Sequence, residues 1–234
     1  MKLNLLILLA GLFLAHITSA EDVGKLKPGV DAGRVLFLGN SITRHPPAPQ
    51  IGWTSDWGMA ASALEKDYVH LVAAGVEKLA GKKPEIQFAN IADFERNLAT
   101  FDLNGKLKEN LEFKPTLVIV AIGENVAGLG NDEAKAQYKT AFTKLLTVLK
   151  NNGQPTLIVR SCFWADPAKD GIMQEACTAA GGIFVDLKGL SKDESNYARS
   201  ERKWDHAGVA MHPGDKGMQA IADAILTALK SDGK

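Results

Sequence analysis

The chain has 234 residues, and its 27 basic and 27 acidic side chains give a formal net charge of zero. No basic stripe is present to neutralise phosphates, so neither a nucleic acid nor an anionic membrane is expected as a partner. The length is sufficient for one well-buried α/β domain, and the sequence contains no internal repeat or linker.

The N-terminal residues 1–20 have the three parts of a signal peptide. Lys2 supplies the positive charge, residues 5–14 the apolar segment, and residues 18–20, Thr-Ser-Ala, a small-residue cleavage site. The apolar run is short for a membrane span, and no cysteine follows to carry a lipid anchor. We therefore expect a periplasmic or secreted protein whose mature part, residues 21–234, is a single domain. Its formal charge is −1, because cleavage removes one lysine and no acid.

The first element of the mature chain is a strand that ends in a polar turn. Residues 35–38, Val-Leu-Phe-Leu, show no polar alternation, which predicts a strand buried on both faces as in a parallel sheet. Gly39, Asn40 and Ser41 follow directly, and a glycine allows a sharp change of chain direction. A serine just past such a strand lies where open α/β sheets bind ligands. The same pattern also occurs in ordinary turns.

A long loop, residues 44–67, separates this strand from the first helix. It is rich in proline, glycine and tryptophan, and a loop of this length in a compact domain is usually functional. Asp67 is expected to cap the helix that follows and that ends at Gly81.

Strands and helices alternate through the rest of the chain. Apolar runs predict further strands over residues 85–90, 116–122, 156–160 and 183–186. The first of these alternates in polarity, which favours a position near the sheet edge. Helical periodicity predicts helices over residues 132–151, 169–180 and 215–229, with a partly helical segment before the third strand. This order predicts an α/β fold: a three-layer α/β/α sandwich around a five-stranded parallel sheet, flavodoxin-like in type.

Cys162 and Cys177 are the only cysteines in the chain. In an exported protein such a pair can form a disulfide. The alternative is two small buried residues on a strand end and on the following helix. The sequence leaves both possibilities open.

Three polar residues follow strands or precede the last helix, although they are distant in sequence. Ser41 follows the first strand, Asn125 the third, and His212 precedes the C-terminal helix. The carboxyl ends of parallel strands lie at one edge of a sheet, so these side chains are expected to converge. A serine hydroxyl, a histidine base and an amide donor are the groups that acyl transfer requires.

The same residues resemble the motifs of the SGNH (GDSL-type) hydrolases. Residues 39–43, Gly-Asn-Ser-Ile-Thr, resemble the family's first motif, with asparagine in place of the usual aspartate. Residues 123–125, Gly-Glu-Asn, match its Gly-x-Asn motif, and His212-Pro213 matches the histidine of its last motif. The resemblance extends over essentially the whole mature chain and implies a serine esterase.

The resemblance also implies a role for each matching position. Ser41 is expected to be the nucleophile, with its backbone N–H as one oxyanion donor. Gly58 is expected to supply a second backbone donor, Asn125 a side-chain donor, and His212 the general base. The family's acid usually precedes the histidine by three residues, where this chain has Val209. We expect Asp205 to orient the imidazole instead, or a backbone carbonyl to do so in a Ser–His dyad.

The substrate expectation depends on tryptophans in the loops. Asn40 and four tryptophans are the expected substrate-binding residues: Trp53, Trp57, Trp164 and Trp204. Aromatic rings at an active edge can stack on sugar faces or line an acyl pocket, but they can equally cover the core. By analogy with exported family members, we expect a short-chain, acetyl-type ester on a carbohydrate as substrate. A non-catalytic carbohydrate-binding relative and a lysophospholipase or thioesterase are the alternatives.

No metal and no cofactor are expected. His206 and His212 lie near Asp205 and Asp215, but their spacing is not that of a zinc site. Three further acids of the chain are expected to lie on a solvated face: Asp93, Glu95 and Asp102.

Overall fold

The computed structural model describes residues 24–231. The signal-peptide prediction, residues 1–20, lies outside the described residues. Within residues 24–231, no helix is both long enough and apolar enough to span a bilayer.

A five-stranded parallel sheet forms the centre of the structure, with strand order β2-β1-β3-β4-β5. The strands are β1 (Arg34–Gly39), β2 (Glu85–Asn90), β3 (Leu117–Ala121), β4 (Thr156–Arg160) and β5 (Ile183–Val185). The connections leave β1 in one direction and β3 in the other, so the chain has a topological switch point between these two strands. The predicted five-stranded parallel sheet is confirmed, and β2 lies at an edge as its polarity predicted.

Helices cover both faces of the sheet. The longer ones are α1 (Tyr68–Ala80), α5 (Asp132–Asn151), α6 (Pro167–Ala179) and α9 (Asp215–Leu229). Shorter ones are α2 (Ala92–Arg96), α3 (Leu103–Lys106), α4 (Lys108–Glu112), α7 (Ala198–Glu201) and α8 (Ala207–Ala210). Asp67 caps α1 by accepting a hydrogen bond from the backbone N–H of His70, as predicted. Helix α6 begins at Pro167, two residues earlier than predicted, because Asp166 caps it and proline suits a first helical position.

The central strands lack polar alternation because each face of the sheet packs on its own helical layer. Val35 and Phe37 of β1 pack with α1 and α9, whereas Leu36 and Leu38 pack with α5 and α6. All four side chains are fully buried, and each contributes roughly 1.5–3 kcal/mol to folding. This arrangement is the predicted three-layer α/β/α sandwich.

The two cysteines are not bonded to each other. Cys162 lies just past β4 and Cys177 lies in α6, and both are buried free thiols. Burial raises the pKa of both thiols, that of Cys177 to about 11. Of the two possibilities that the sequence left open, the structure shows the pair of buried residues.

Gly39 is required for space. The φ angle of Gly39 is not positive, so the chain does not need glycine here for a sharp turn, as had been expected. It needs glycine because neighbouring atoms approach this position closely. A Cβ at this position would overlap the side chain of Thr43 and lie 2.9 Å from the carbonyl oxygen of Ala121. Glycine thereby lets the segment after β1 pack against β3, where the polar residues of both strand ends meet.

Replacing Gly39 with alanine is therefore expected to destabilise the protein, by about 1–3 kcal/mol, through overpacking. Urea unfolding followed by circular dichroism measures the change. Gly130→Ala is the matched control, because a Cβ there meets no atom within 4 Å, and it should change stability by less than about 0.5 kcal/mol. Equal stability of the two variants would contradict the role of Gly39.

Candidate active site

Ser41 and His212 form a hydrogen bond although 171 residues separate them. The Ser41 Oγ and His212 Nε2 atoms are 2.8 Å apart. Ser41 follows β1, and His212 lies between α8 and α9, so the segment that follows β5 brings the imidazole to the end of β1. The predicted convergence of hydroxyl and imidazole is present in the structure.

The Gly208 carbonyl orients the imidazole. The His212 Nδ1 atom lies 2.7 Å from the Gly208 oxygen. A carbonyl only accepts, so Nδ1 carries the proton and Nε2 is left with a lone pair toward the serine hydroxyl. Trp164 packs edge-on against the same ring, with centroids 5.6 Å apart and an interplanar angle of 89°. The ring is thus fixed in the tautomer that can accept a proton from Ser41.

The preference for Asp205 as the orienting group is wrong. Asp205 is exposed, and no hydrogen bond or ion pair joins it to His212 in the described part of the chain. The carbonyl alternative is the one observed, because α8 is a single turn and its last carbonyls have no partner within the helix. Val209, at the position where the resemblance would place an acid, is fully buried in an apolar cluster.

The environment of His212 disfavours its charged form. Burial lowers the pKa of His212 to about 4, with a smaller contribution from nearby His45. The Gly208 hydrogen bond and the negative charge of Glu124 act in the opposite direction but are outweighed. The imidazole is therefore neutral near pH 7, as a general base must be.

Ser41, His212 and Asn125 line one cavity of about 800 Å³ at the carboxyl edge of the sheet. Asn125 follows β3, beyond a turn at Gly123 whose φ is +129°. Its amide lies between two residues of α2: Nδ2 donates to Glu95 Oε2 at 2.7 Å, and Oδ1 accepts from Arg96 Nη2 at 3.1 Å. The cavity is also lined by His45, Pro46, Ile51, Met59, Asn90, Ala92, Asp93, Arg96, His206, Gly208 and Val209.

The backbone donors differ from those expected. The Gly58 N–H donates to Asp67 Oδ2 at 3.2 Å in the protein interior, so its assignment as an oxyanion donor is wrong. The next residue, Met59, donates instead to the Ser41 carbonyl at 2.8 Å and holds the nucleophile's backbone. Within residues 24–231 the Ser41 N–H makes no hydrogen bond, so it is free to donate to a bound oxygen.

Asn40 belongs to a buried charge network beneath Ser41. It is fully buried, and its Nδ2 donates to Glu124 Oε2 at 2.7 Å, so its assignment to substrate binding is wrong. Glu124 pairs with Arg160 at 2.5 Å and also accepts the Phe163 N–H at 2.9 Å. Burial alone would raise the pKa of Glu124, but the Arg160 charge and these hydrogen bonds hold it below its usual range.

Glu95 contacts Asn125 in the site, and the sequence did not predict this position. Its assignment to a solvated face is wrong, because it is only 1% exposed. Its Oε1 accepts the N–H groups of Gly123 at 2.6 Å and Asn125 at 3.0 Å. Burial and the neighbouring Glu124 raise the pKa of Glu95, although the hydrogen bonds to its carboxylate oppose the shift. Position 95 lies next to buried Phe94 in a five-residue helix too short for periodicity to place it.

Three tryptophans pack against one another in the loops of the site. The ring centroids of Trp53 are 6.0 Å from those of Trp57 and 6.5 Å from those of Trp204. Their indole N–H groups donate to backbone carbonyls, and Trp53 is 3% exposed. Neither these rings nor Trp164 are among the described residues that line the cavity. These four tryptophans therefore pack within the protein and do not line the cavity as expected. Trp164 packs against His212, and the other three rings pack against one another between the loop of residues 44–67 and residue 204.

No group of three or more histidines, cysteines and acids within residues 24–231 is arranged to hold a metal ion.

Comparison with solved structures identifies the fold. A family two carbohydrate esterase from Cellvibrio japonicus is 16% identical, with a TM-score of 0.50 over 86% of this chain and 62% of that chain. An active-site mutant of a family two carbohydrate esterase from Clostridium thermocellum is 13% identical, with a TM-score of 0.50 over 86% and 64%. A protein from Bacteroides uniformis described as a GDSL-like lipase is 15% identical, with a TM-score of 0.49 over 84% and 95%.

These similarities concern the fold. No family model and no curated protein matches the sequence. The chain shares its fold with the two family two carbohydrate esterases, and this fold is of the α/β class expected from the sequence. It spans 62% and 64% of the two carbohydrate esterase chains, less than two thirds of their length.

The burial of the His212 imidazole predicts a low pKa that a titration can measure. In an NMR titration of the His212 Cε1 proton, we expect a midpoint near pH 4, because burial lowers the pKa of His212 to about 4. The His212→Gln spectrum assigns the resonance and serves as the control. A midpoint between pH 6 and 7, about that of a free imidazole, would contradict the buried, carbonyl-oriented ring.

Proposed function

We propose that this protein is a serine hydrolase of carboxylic esters. The observation that carries the proposal is the 2.8 Å hydrogen bond from Ser41 Oγ to the Nε2 atom of an imidazole whose Nδ1 is held by Gly208. The pair lies at the switch point of the sheet, where doubly wound folds bind ligands. Similar solved structures of carbohydrate esterases support the same class of reaction.

The proposed reaction begins with proton transfer from Ser41 to neutral His212 as Oγ attacks the ester carbonyl. The carbonyl oxygen becomes an oxyanion, and the Ser41 N–H and the second Nδ2 proton of Asn125 are the donors placed to bind it. Protonated His212 then gives its proton to the departing alcohol. A water molecule, activated by the same imidazole, releases the acid and restores the serine.

The absence of a carboxylate at Nδ1 sets the strength of the base. A carbonyl fixes the tautomer as an aspartate does, but it carries no full charge to stabilise the imidazolium that forms. The low pKa of His212, about 4, describes a base that stays available in acid but accepts a proton weakly. A Ser–His dyad with modest turnover follows from these two features.

For the substrate, we propose a short acyl ester, such as an acetyl group, on a carbohydrate. The cavity is open, and polar side chains line part of it, among them His45, Asn90 and Asp93. Such side chains suit the hydroxyls of a sugar. The signal-peptide pattern of residues 1–20 supports export, which would place the enzyme with extracellular polysaccharides.

Replacing Ser41 or His212 with alanine is expected to lower kcat/KM for 4-nitrophenyl acetate by about 10⁴-fold or more, because nucleophile and base act as one unit. Asp205→Asn is the control and should keep wild-type activity, since Asp205 does not contact the imidazole. Circular dichroism verifies that each variant is folded. Full turnover by folded Ser41→Ala protein would refute the hydrolase proposal.

The acyl preference provides a separate test. We expect kcat/KM for the acetyl ester to exceed that for the octanoyl ester by about tenfold or more, because an open cavity leaves much of a longer acyl chain in contact with water. Acetate release from an acetylated polysaccharide, with Ser41→Ala protein as the blank, measures activity on the proposed substrate class. A preference for octanoate would instead favour the lipase or thioesterase alternative.

A further inference from the structure

We propose that Glu95 and Arg96 are positioning residues that hold the Asn125 amide in the one orientation that presents an N–H to the reacting oxygen. This inference rests on the proposed function, since it concerns the donor side of the same reaction. The two residues are consecutive in α2, which follows β2, whereas Asn125 follows β3. Helix α2 therefore reaches across the end of β1 to the donor on β3.

The two residues contact opposite ends of the amide. Asn125 Nδ2 donates to Glu95 Oε2 at 2.7 Å, and Asn125 Oδ1 accepts from Arg96 Nη2 at 3.1 Å. A carboxylate can only accept and a guanidinium can only donate. The chemistry of the partners thus determines which end of the side chain is nitrogen, although the two ends of an amide have nearly the same shape.

A flipped amide would reverse both contacts. Oδ1 would face the Glu95 carboxylate and the NH₂ group would face the Arg96 guanidinium, so two attractive contacts would become repulsive. Glu95 is 1% exposed, and little water is present there to screen the repulsion. The correct orientation is therefore fixed before a substrate binds, which is the preorganisation that oxyanion stabilisation requires.

Glu95 holds the backbone of the same turn. Its Oε1 accepts the Gly123 N–H at 2.6 Å and the Asn125 N–H at 3.0 Å. One carboxylate thereby fixes both the main chain and the side chain of Asn125. Within the described residues Nδ2 has no acceptor other than Glu95, so its second proton is available in the cavity that Ser41 and His212 also line.

Arg96 allows the proposal to be tested without disturbing the core. Its side chain is 56% exposed, so Arg96→Met should fold normally. We expect this variant to lower kcat about tenfold with KM nearly unchanged, because an amide that can flip weakens binding of the transition state only. Removing the donor itself, in Asn125→Ala, should cost about 10²- to 10³-fold.

A double-mutant cycle separates positioning from direct substrate contact. If Arg96 acts through Asn125, Arg96→Met should have no further effect in the Asn125→Ala background. A further tenfold loss there, or a loss confined to KM, would overturn the proposal. Arg96→Lys should recover part of the lost kcat, because an ammonium can still donate to Oδ1. Lys139→Met, at a site equally 56% exposed, is the matched control and should leave kcat and KM unchanged.

Glu95→Gln tests the buried contact. Glutamine has one acceptor oxygen for the four N–H groups that donate to Glu95, so we expect a larger loss of kcat than for Arg96→Met. Thermal unfolding shows whether this variant is folded, and if it is not, the Arg96 cycle decides. A folded Glu95→Gln protein with wild-type kcat would overturn the proposal.

A measurement without substrate keeps this proposal distinct from the proposed function. In ¹⁵N-labelled protein we expect two well-separated, slowly exchanging Asn125 Nδ2 protons, whose shifts and exchange change in Arg96→Met and not in Lys139→Met. If the wild-type protein hydrolyses no ester, the proposed function fails while this experiment still decides the positioning role. Unchanged Asn125 amide signals in Arg96→Met would overturn it.

Discussion

The structure of the site depends on one buried carboxylate that ties three strand ends together. Glu124, after β3, accepts from Asn40 after β1 and from Arg160 and Phe163 at the end of β4. The Glu124 and Arg160 side chains are 3% and 0% exposed, so each has lost its hydration, a cost that only a partner charge and good hydrogen bonds offset. Removing either Glu124 or Arg160 would leave the charge of the other residue buried without a partner. A single substitution in this pair is therefore strongly unfavourable.

Two side chains of the site, His212 and Asn125, are held by different means. His212 is oriented by a neutral backbone carbonyl at the end of a one-turn helix, whereas Asn125 is held by a carboxylate and a guanidinium. A neutral partner leaves the pKa of the imidazole low, because nothing compensates fully for burial. The charged partners of Asn125 do not titrate its amide and act on orientation alone. Asn125 is therefore held by stronger, charge-assisted hydrogen bonds than His212 is.

Much of the fold could be predicted from the sequence, because β1 and β3 are continuous apolar runs and α5 and α9 are strongly periodic and well bounded. Ser41, Asn125 and His212 were found because parallel strands deliver their carboxyl ends to one edge. Glu95 was missed because burial of an acid depends on a donor turn 28 residues away. Gly208 could not be chosen over Asp205, since that choice depends on the single turn of α8. The Gly58 N–H donates to Asp67, and this contact could not be predicted because it depends on how the loop between the two residues folds.

The packing of Val209 explains why a backbone carbonyl, and not a carboxylate, accepts the hydrogen bond from His212 Nδ1. Val209 packs with Trp53 and Met59 in an apolar cluster that also includes Ala60 and Ala198. That cluster joins the long loop after Ser41, whose Met59 N–H holds the Ser41 carbonyl, to the segment that ends at His212. A carboxylate at position 209 would be buried there without a partner, which is strongly unfavourable. Val209 thus holds the loop after Ser41 against the segment that ends at His212, and the Gly208 carbonyl, one residue earlier, accepts the hydrogen bond from Nδ1.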